Sequence, residues 1–329
     1  MRKLIKRGVI LIIIITVALT TCGFSVASAA GEKVYLCGFA AGFEVKTKGV
    51  SIIKATEVVT ENGVVSPSKD VVDAGDRLIR INDVDINCAE DVDRGLSSVK
   101  GGEVVLTLVR RGETLLRNVS PAKDVGGVLR LGLLLKDGVS GIGTMTFIKR
   151  DGTFMALGHP ICSDDGEILD ITEGEIFRCS LFGVNKAEYG KAGELKGMII
   201  GDSPIGVITE NLEQGIKGKM DGSFKAEDLI LIETGEARPG KATIVTCVDG
   251  VIPKEYDVSL VKVDEDKSSK NFVVKVTDKD LIEVAGGIVQ GMSGSPIIQG
   301  GKLVGSLTHV FISDSTRGYG ISIDNMLAA

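Results

Sequence analysis

Tryptophan is absent from this 329-residue chain, proline occurs seven times and histidine twice. No long heptad pattern runs through it and no segment repeats at a fixed period, so neither a coiled coil nor a solenoid is indicated. Past residue 30 the cysteines are Cys37, Cys88, Cys162, Cys179 and Cys247. Five is odd and none stand at Cys-x-x-Cys spacing, so mostly buried thiols are expected rather than a disulfide framework or a zinc site. Asp164-Asp165, Glu173 and Glu175 are acidic, yet no His or Cys accompanies them at metal-ligand spacing. The glycine-rich stretch 138–143 lacks the Gly-Lys-[Ser/Thr] of a phosphate loop. No metal and no cofactor is expected. Glycine, by contrast, is abundant at 43 residues, beside 43 % apolar residues. That balance predicts a mainly β, turn-rich protein with minor α-helix, ordinary cores and about two domains.

Residues 1–30 stand apart. Arg2, Lys3, Lys6 and Arg7 precede an apolar run from Gly8 to Leu19, and small residues follow as far as Ala27-Ser28-Ala29. This is the layout of a secretory signal peptide. The run is short for a membrane span, which takes about 20 residues, so cleavage after Ala29 is the first expectation and an uncleaved anchor the second. Removing residues 1–29 deletes four positive charges and takes the net charge from −6 to −10. An exported acidic chain without a Lys/Arg cluster is a poor nucleic-acid binder.

Residues 31–124 read as one unit of short strands. Val34–Phe39 is apolar, and Ala40-Ala41-Gly42-Phe43 forms a small-apolar turn before another strand-like run. Further on, Gly75-Asp76 closes a turn, Leu78, Ile79 and Ile81 make a buried strand, and Asn82-Asp83 turns the chain again. Cys88–Val99 can form a short helix. The order resembles a circularly permuted PDZ domain, most specifically in the segment from Gly75 to Asn82. That resemblance implies a peptide laid as a strand beside the helix, its carboxylate held by the loop Ala41, Gly42 and Phe43. Taken alone, Gly42 reads equally well as a tight turn and Phe43 as core.

The strongest signal in residues 125–329 is Gly291-Met292-Ser293-Gly294-Ser295-Pro296. Glycines before and after a serine permit a sharp bend that exposes the hydroxyl and lets backbone N–H groups, here those of Gly291 and Ser293, form an oxyanion hole. The string resembles the Gly-Asp-Ser-Gly-Gly-Pro of trypsin-like proteases, with Ser295 in place of the second glycine. A serine nucleophile needs a base near neutral pH, and the chain offers only His159 and His309. His159 follows a hairpin turning at Arg150-Asp151-Gly152. His309 ends the strand 303–308, and a hairpin centred on Gly300-Gly301 sets residue 308 opposite Ser293. Either histidine can be the base on these grounds.

Met155–His159, Gly286–Ile298, Thr308–Phe311 and Gly141–Phe147 together resemble the SpoIVB peptidase family, as does the order of leader, PDZ-like unit and protease. The resemblance implies a trypsin-like, β-barrel serine endopeptidase behind a PDZ-like unit. It carries the nucleophile to Ser293, the base to His159 and the third member to Asp278 of Thr277-Asp278. Asp202 and Asp280 are further carboxylate candidates from the sequence itself. The family's role would be sporulation: export from the forespore into the space between its two membranes, cleavage of a membrane-bound regulator of an intramembrane protease, and self-cleavage. The competing expectation is a non-catalytic PDZ adaptor on a degenerate protease scaffold.

Overall fold

The computed structural model describes residues 31–97, 99, 101–163 and 166–329. The expected leader at residues 1–30 lies outside the described residues, as do Asp164 and Asp165. Lys33–Ala329 forms one compact unit.

Period-2 alternation builds most of its strands. In Phe272–Val276, Phe272, Val274 and Val276 are buried while Lys275 is exposed. Lys254–Val263 buries Tyr256, Val258 and Leu260 and turns Asp257 outward. Twelve such strands close into two barrels. The first contains β1 (Ala40–Thr47), β2 (Val139–Ile148), β3 (Thr153–Ala156), β4 (Ile171–Asn185), β5 (Gly206–Leu212) and β6 (Gly215–Met220). The second contains β7 (Gly240–Thr246), β8 (Lys254–Val263), β9 (Phe272–Val276), β10 (Pro296–Gln299), β11 (Lys302–Phe311) and β12 (Asp314–Ser322). Around the first ring the order is β1-β2-β3-β6-β5-β4, and around the second β7-β8-β9-β12-β11-β10, all pairs antiparallel. The two barrels therefore share one strand order. Val34, Phe147 and Met155 pack with Leu303, Ile321 and Ile323 in an apolar cluster joining the barrels.

A smaller sheet of residues 50–136 is inserted between β1 and β2. From its free edge it runs Leu133–Lys136, Val50–Ala55, Arg77–Ile81, Val104–Arg110 and Glu113–Val119. Helix α1 (Ala89–Ser97) covers it, and Val50, Ile52, Leu78, Ile81, Leu96 and Leu106 fill its core. The Gly75-Asp76 turn forms as expected. Buried Asp76 receives two hydrogen bonds from Arg110, at 2.6 and 2.8 Å. The division expected at residue 124 is corrected, because residues 33–36 and 40–47 pair with barrel strands and the insert keeps its last strand as far as Lys136.

Three hydrogen bonds lash the barrels together at one point. The Thr144 N–H donates to the Ser293 carbonyl (2.9 Å), Thr144 Oγ1 to the Gly291 carbonyl (2.8 Å) and Thr146 Oγ1 to the Gly294 carbonyl (2.8 Å). Thr146 is fully buried. Replacing its hydroxyl by a methyl leaves a buried carbonyl without its donor, a loss of about 1–3 kcal/mol. Thr146→Val should lower unfolding stability by that amount in denaturant melts; an unchanged midpoint would show that this lashing carries no load.

Candidate active site

The sequence places His159 and Ser293 in matching connections. Each lies between the third and fourth strands of its own barrel, His159 between β3 and β4 and Ser293 between β9 and β10. Two consecutive left-handed residues, Leu157 (φ 66°) and Gly158 (φ 69°), swing the chain off β3 and present His159. A Cβ on Gly158 would sit 2.5 Å from Ser306 Oγ, so glycine is required for that approach. Gly294 (φ 94°) does the same on the other side, since a Cβ there would lie 2.0 Å from the Thr144 carbonyl oxygen.

The hairpin register slips by one residue and then returns before Ser293. Ile298 pairs with Leu303 and, beyond a bulge, Pro296 with Ser306. Gly294 N–H donates to the Leu307 carbonyl at 2.7 Å, and Ser293 Oγ donates to the Thr308 carbonyl at 2.5 Å. Ser293, His159, Thr308 and His309 all line one cavity of about 440 Å³. The two imidazoles stack with ring centroids 4.7 Å apart, tilted by 40°.

His159 Nδ1 lies 2.8 Å from the Pro160 carbonyl oxygen. A carbonyl only accepts, so the proton sits on Nδ1 and Nε2 keeps the lone pair that a base needs. Desolvation lowers the His159 pKa, the Pro160 hydrogen bond opposes that shift, and the charge of Lys270 adds to it. More than a third of His309 remains exposed, yet desolvation, then the neighbouring His159 and Lys270, push its pKa down to about 4.

Around the nucleophile the N–H groups of Gln290, Met292, Gly294 and Ser295 are taken by backbone carbonyls. Those of Gly291 and Ser293 have no such partner among the described residues, which leaves free the two donors expected for the oxyanion hole. The Thr144 and Thr146 bonds hold the carbonyls of this loop. Ser295 is buried, with its hydroxyl donating to the Met292 carbonyl at 2.5 Å. Sequence reasoning gave Thr308 no role of its own. Its buried Oγ1 has no hydrogen-bond partner among the described residues, beside the carbonyl that holds Ser293.

Two expectations are corrected. Asp278 is the N-cap of helix α2 (Lys279–Ala285): its Oδ1 accepts from Leu281 N at 3.0 Å and its Oδ2 from Asp257 N at 3.2 Å. No carboxylate among the described residues bonds or pairs with either histidine, Asp202 and Asp280 included, and both of these are exposed. Ala41, Gly42 and Phe43 do not form a peptide loop. They lie within β1, paired on one side with Gly143, Ile142 and Gly141 and on the other with Arg178, Phe177 and Ile176. Gly42 is small because Ile199 packs on it, 2.7 Å from where a Cβ would stand, and Phe43 lines the cavity that holds Ser293. The groove beside α1 is instead lined by Val92, Leu96, Leu131, Gly132, Leu133 and Leu135, along the free edge of the small sheet.

Two barrels of one strand order, each giving a chemical group to the same cleft, make this a β-barrel serine peptidase of the trypsin-like type, acting on internal peptide bonds. The SpoIVB peptidase S55 family model matches residues 127–327, and the chain belongs to that family. No curated protein sequence matches it. Among solved structures, an inactive form of Rv3671c from M. tuberculosis H37Rv, a serine-to-alanine mutant, is similar over 57 % of this chain and 78 % of that one, at 10 % identity and a TM-score of 0.31.

A capping role and a triad role for Asp278 give different results. Asn caps about as well as Asp, whereas Ala costs about 1 kcal/mol. Asp278→Asn should keep both stability and turnover, and Asp278→Ala should lose stability by that amount. A collapse in turnover for folded Asp278→Asn would return the residue to the catalytic group. The imidazoles predict the pH profile. A base acts when neutral, and both pKa values lie below the ordinary 6.5. The acid limb of kcat/KM should therefore fall below pH 6.5; a limb at or above it would contradict the desolvated pair.

Proposed function

We propose that this sporulation-type serine peptidase is exported through its N-terminal leader, cleaves a membrane-bound regulatory protein in the space between the forespore membranes, and also cleaves itself. Family membership supports the setting. The observation that carries the chemistry is the meeting of Ser293, the two histidines and the free N–H groups of Gly291 and Ser293 in one cleft.

In the reaction, the Ser293 hydroxyl leaves the Thr308 carbonyl by rotation about χ1 and gives its proton to a histidine, for which His159 has the required tautomer. Its oxygen adds to the scissile carbonyl carbon, and the resulting oxyanion takes the hydrogen bonds of Gly291 and Ser293. The imidazolium then protonates the leaving amine as the C–N bond breaks, and water releases the acyl group by the reverse steps. The neutral Pro160 carbonyl orients the ring as a carboxylate would, while stabilising the imidazolium less. The insert docks the target: an extended peptide adds to the edge strand Leu133–Lys136 beside α1, with Leu131-Gly132-Leu133 as the apolar-glycine-apolar loop of a PDZ-like site.

Ser293→Ala should abolish labelling by a fluorophosphonate probe and lower peptide cleavage by several orders of magnitude, with the fold retained. Labelling or turnover that survives in the folded variant would remove Ser293 from the chemistry.

A further inference from the structure

The cavity beside Ser293 has two sides with different duties. During acylation the base must reach the leaving nitrogen, so the leaving half of the substrate lies toward His159. The acyl half points away from it, toward the chain on either side of the nucleophile hairpin. The cavity's apolar lining includes Ile288 and Val289 from the segment before Ser293, Val310 and Ile312 from the segment after Thr308, and Ala192 from the connection after β4. Ile288 and Val289 are almost fully buried and fixed in place. Ala192 is held close because the next residue, Gly193, accepts from Gln290 N at 2.8 Å, and Leu195 N donates to the Gln290 carbonyl at 2.9 Å. No Asp, Glu, Lys or Arg among the described residues lines this cavity, and burial lowers the pKa of both its histidines. Cationic Lys270, outside the lining, acts on both histidines.

From this lining we infer that the enzyme cleaves after a compact, uncharged aliphatic residue, whose side chain is seated against Ile288, Val289, Val310, Ile312 and Ala192. The inference rests on the serine-peptidase reading of Ser293 and adds the substrate class. A charged side chain entering here would lose its hydration and meet no counter-charge. A basic one would also feel Lys270.

The test is a panel of fluorogenic peptides, identical except at the residue on the acyl side of the cleaved bond. Leu, Val and Met should exceed Lys, Arg, Asp and Glu in kcat/KM by on the order of 100-fold, the scale set by burying an unpaired charge. Charged residues turned over as well as Leu would overturn the assignment. Ile312 is 53 % exposed, so Ile312→Glu should fold while placing a carboxylate at the rim. It should raise the Lys-to-Leu ratio by about 10-fold, the Coulombic scale of a partly screened pair; an unchanged ratio would place the acyl side chain elsewhere. Ala192→Phe, in a half-buried loop position, should narrow the pocket and favour Ala over Leu substrates; no change in that ratio counts against the inference as well. Fluorophosphonate labelling of the wild type separates the two levels. Absent labelling defeats the peptidase reading, whereas labelling with a flat panel defeats only the specificity.

Discussion

The carbonyls of Gly291, Ser293 and Gly294 are held by Thr144 and Thr146 of the opposite barrel, and the placing of Ser293 against the first barrel depends on that hold. A peptide plane has one donor and one acceptor on opposite edges. Fixing the carbonyl of one residue orients the N–H of the next, so Thr144 and Thr146 hold the peptide planes flanking the Gly291 and Ser293 donors, whose own planes are held through the Gln290 carbonyl by Leu195 N and the Met292 carbonyl by Ser295. The same strand passes within contact of Leu157, whose left-handed turn launches His159. Ser293 and His159 are thus referenced to one strand, β2.

The shared strand order of the barrels gives this arrangement its economy. A connection between third and fourth strands leaves each ring at one rim, and opposing the two rims brings a histidine and a serine together. What differs is the local chemistry used to make the exit. The first barrel uses Leu157 and Gly158 in left-handed conformations, and the second a short capped helix followed by four glycines before β10. Strand order brings the groups together, and glycine at Gly158 and Gly294 allows the final approach.

Much of this is legible in the amino-acid sequence alone. Hairpin arithmetic around Gly300-Gly301 set residue 308 against Ser293, because a two-residue turn propagates its register along antiparallel strands until a bulge intervenes. The donor pair Gly291 and Ser293 followed from the glycine bend. What misled was local pattern without long-range pairing. Ala41-Gly42-Phe43 and Leu131-Gly132-Leu133 have the same apolar-glycine-apolar form, and only the partners of each segment decide which borders a groove and which crosses a barrel. Asp278 is similar. An aspartate before Lys-Asp-Leu-Ile-Glu-Val-Ala is as good an N-cap as a strand-end carboxylate, and the helix claims both its oxygens.

The insert enters and leaves through neighbouring strands, with Val45 paired to Val139 at its root. Because both ends are anchored in one ladder, a break of the chain anywhere within the insert would separate no part of the catalytic ring: the two pieces would stay joined through the pairing of β1, β2 and β4. A load applied to the insert is delivered as shear along β1 and β2 rather than as a pull on one loose end. It therefore arrives on the strand whose Thr144 and Thr146 grip the Ser293 loop, and a mechanical input at the insert has a direct route to that serine.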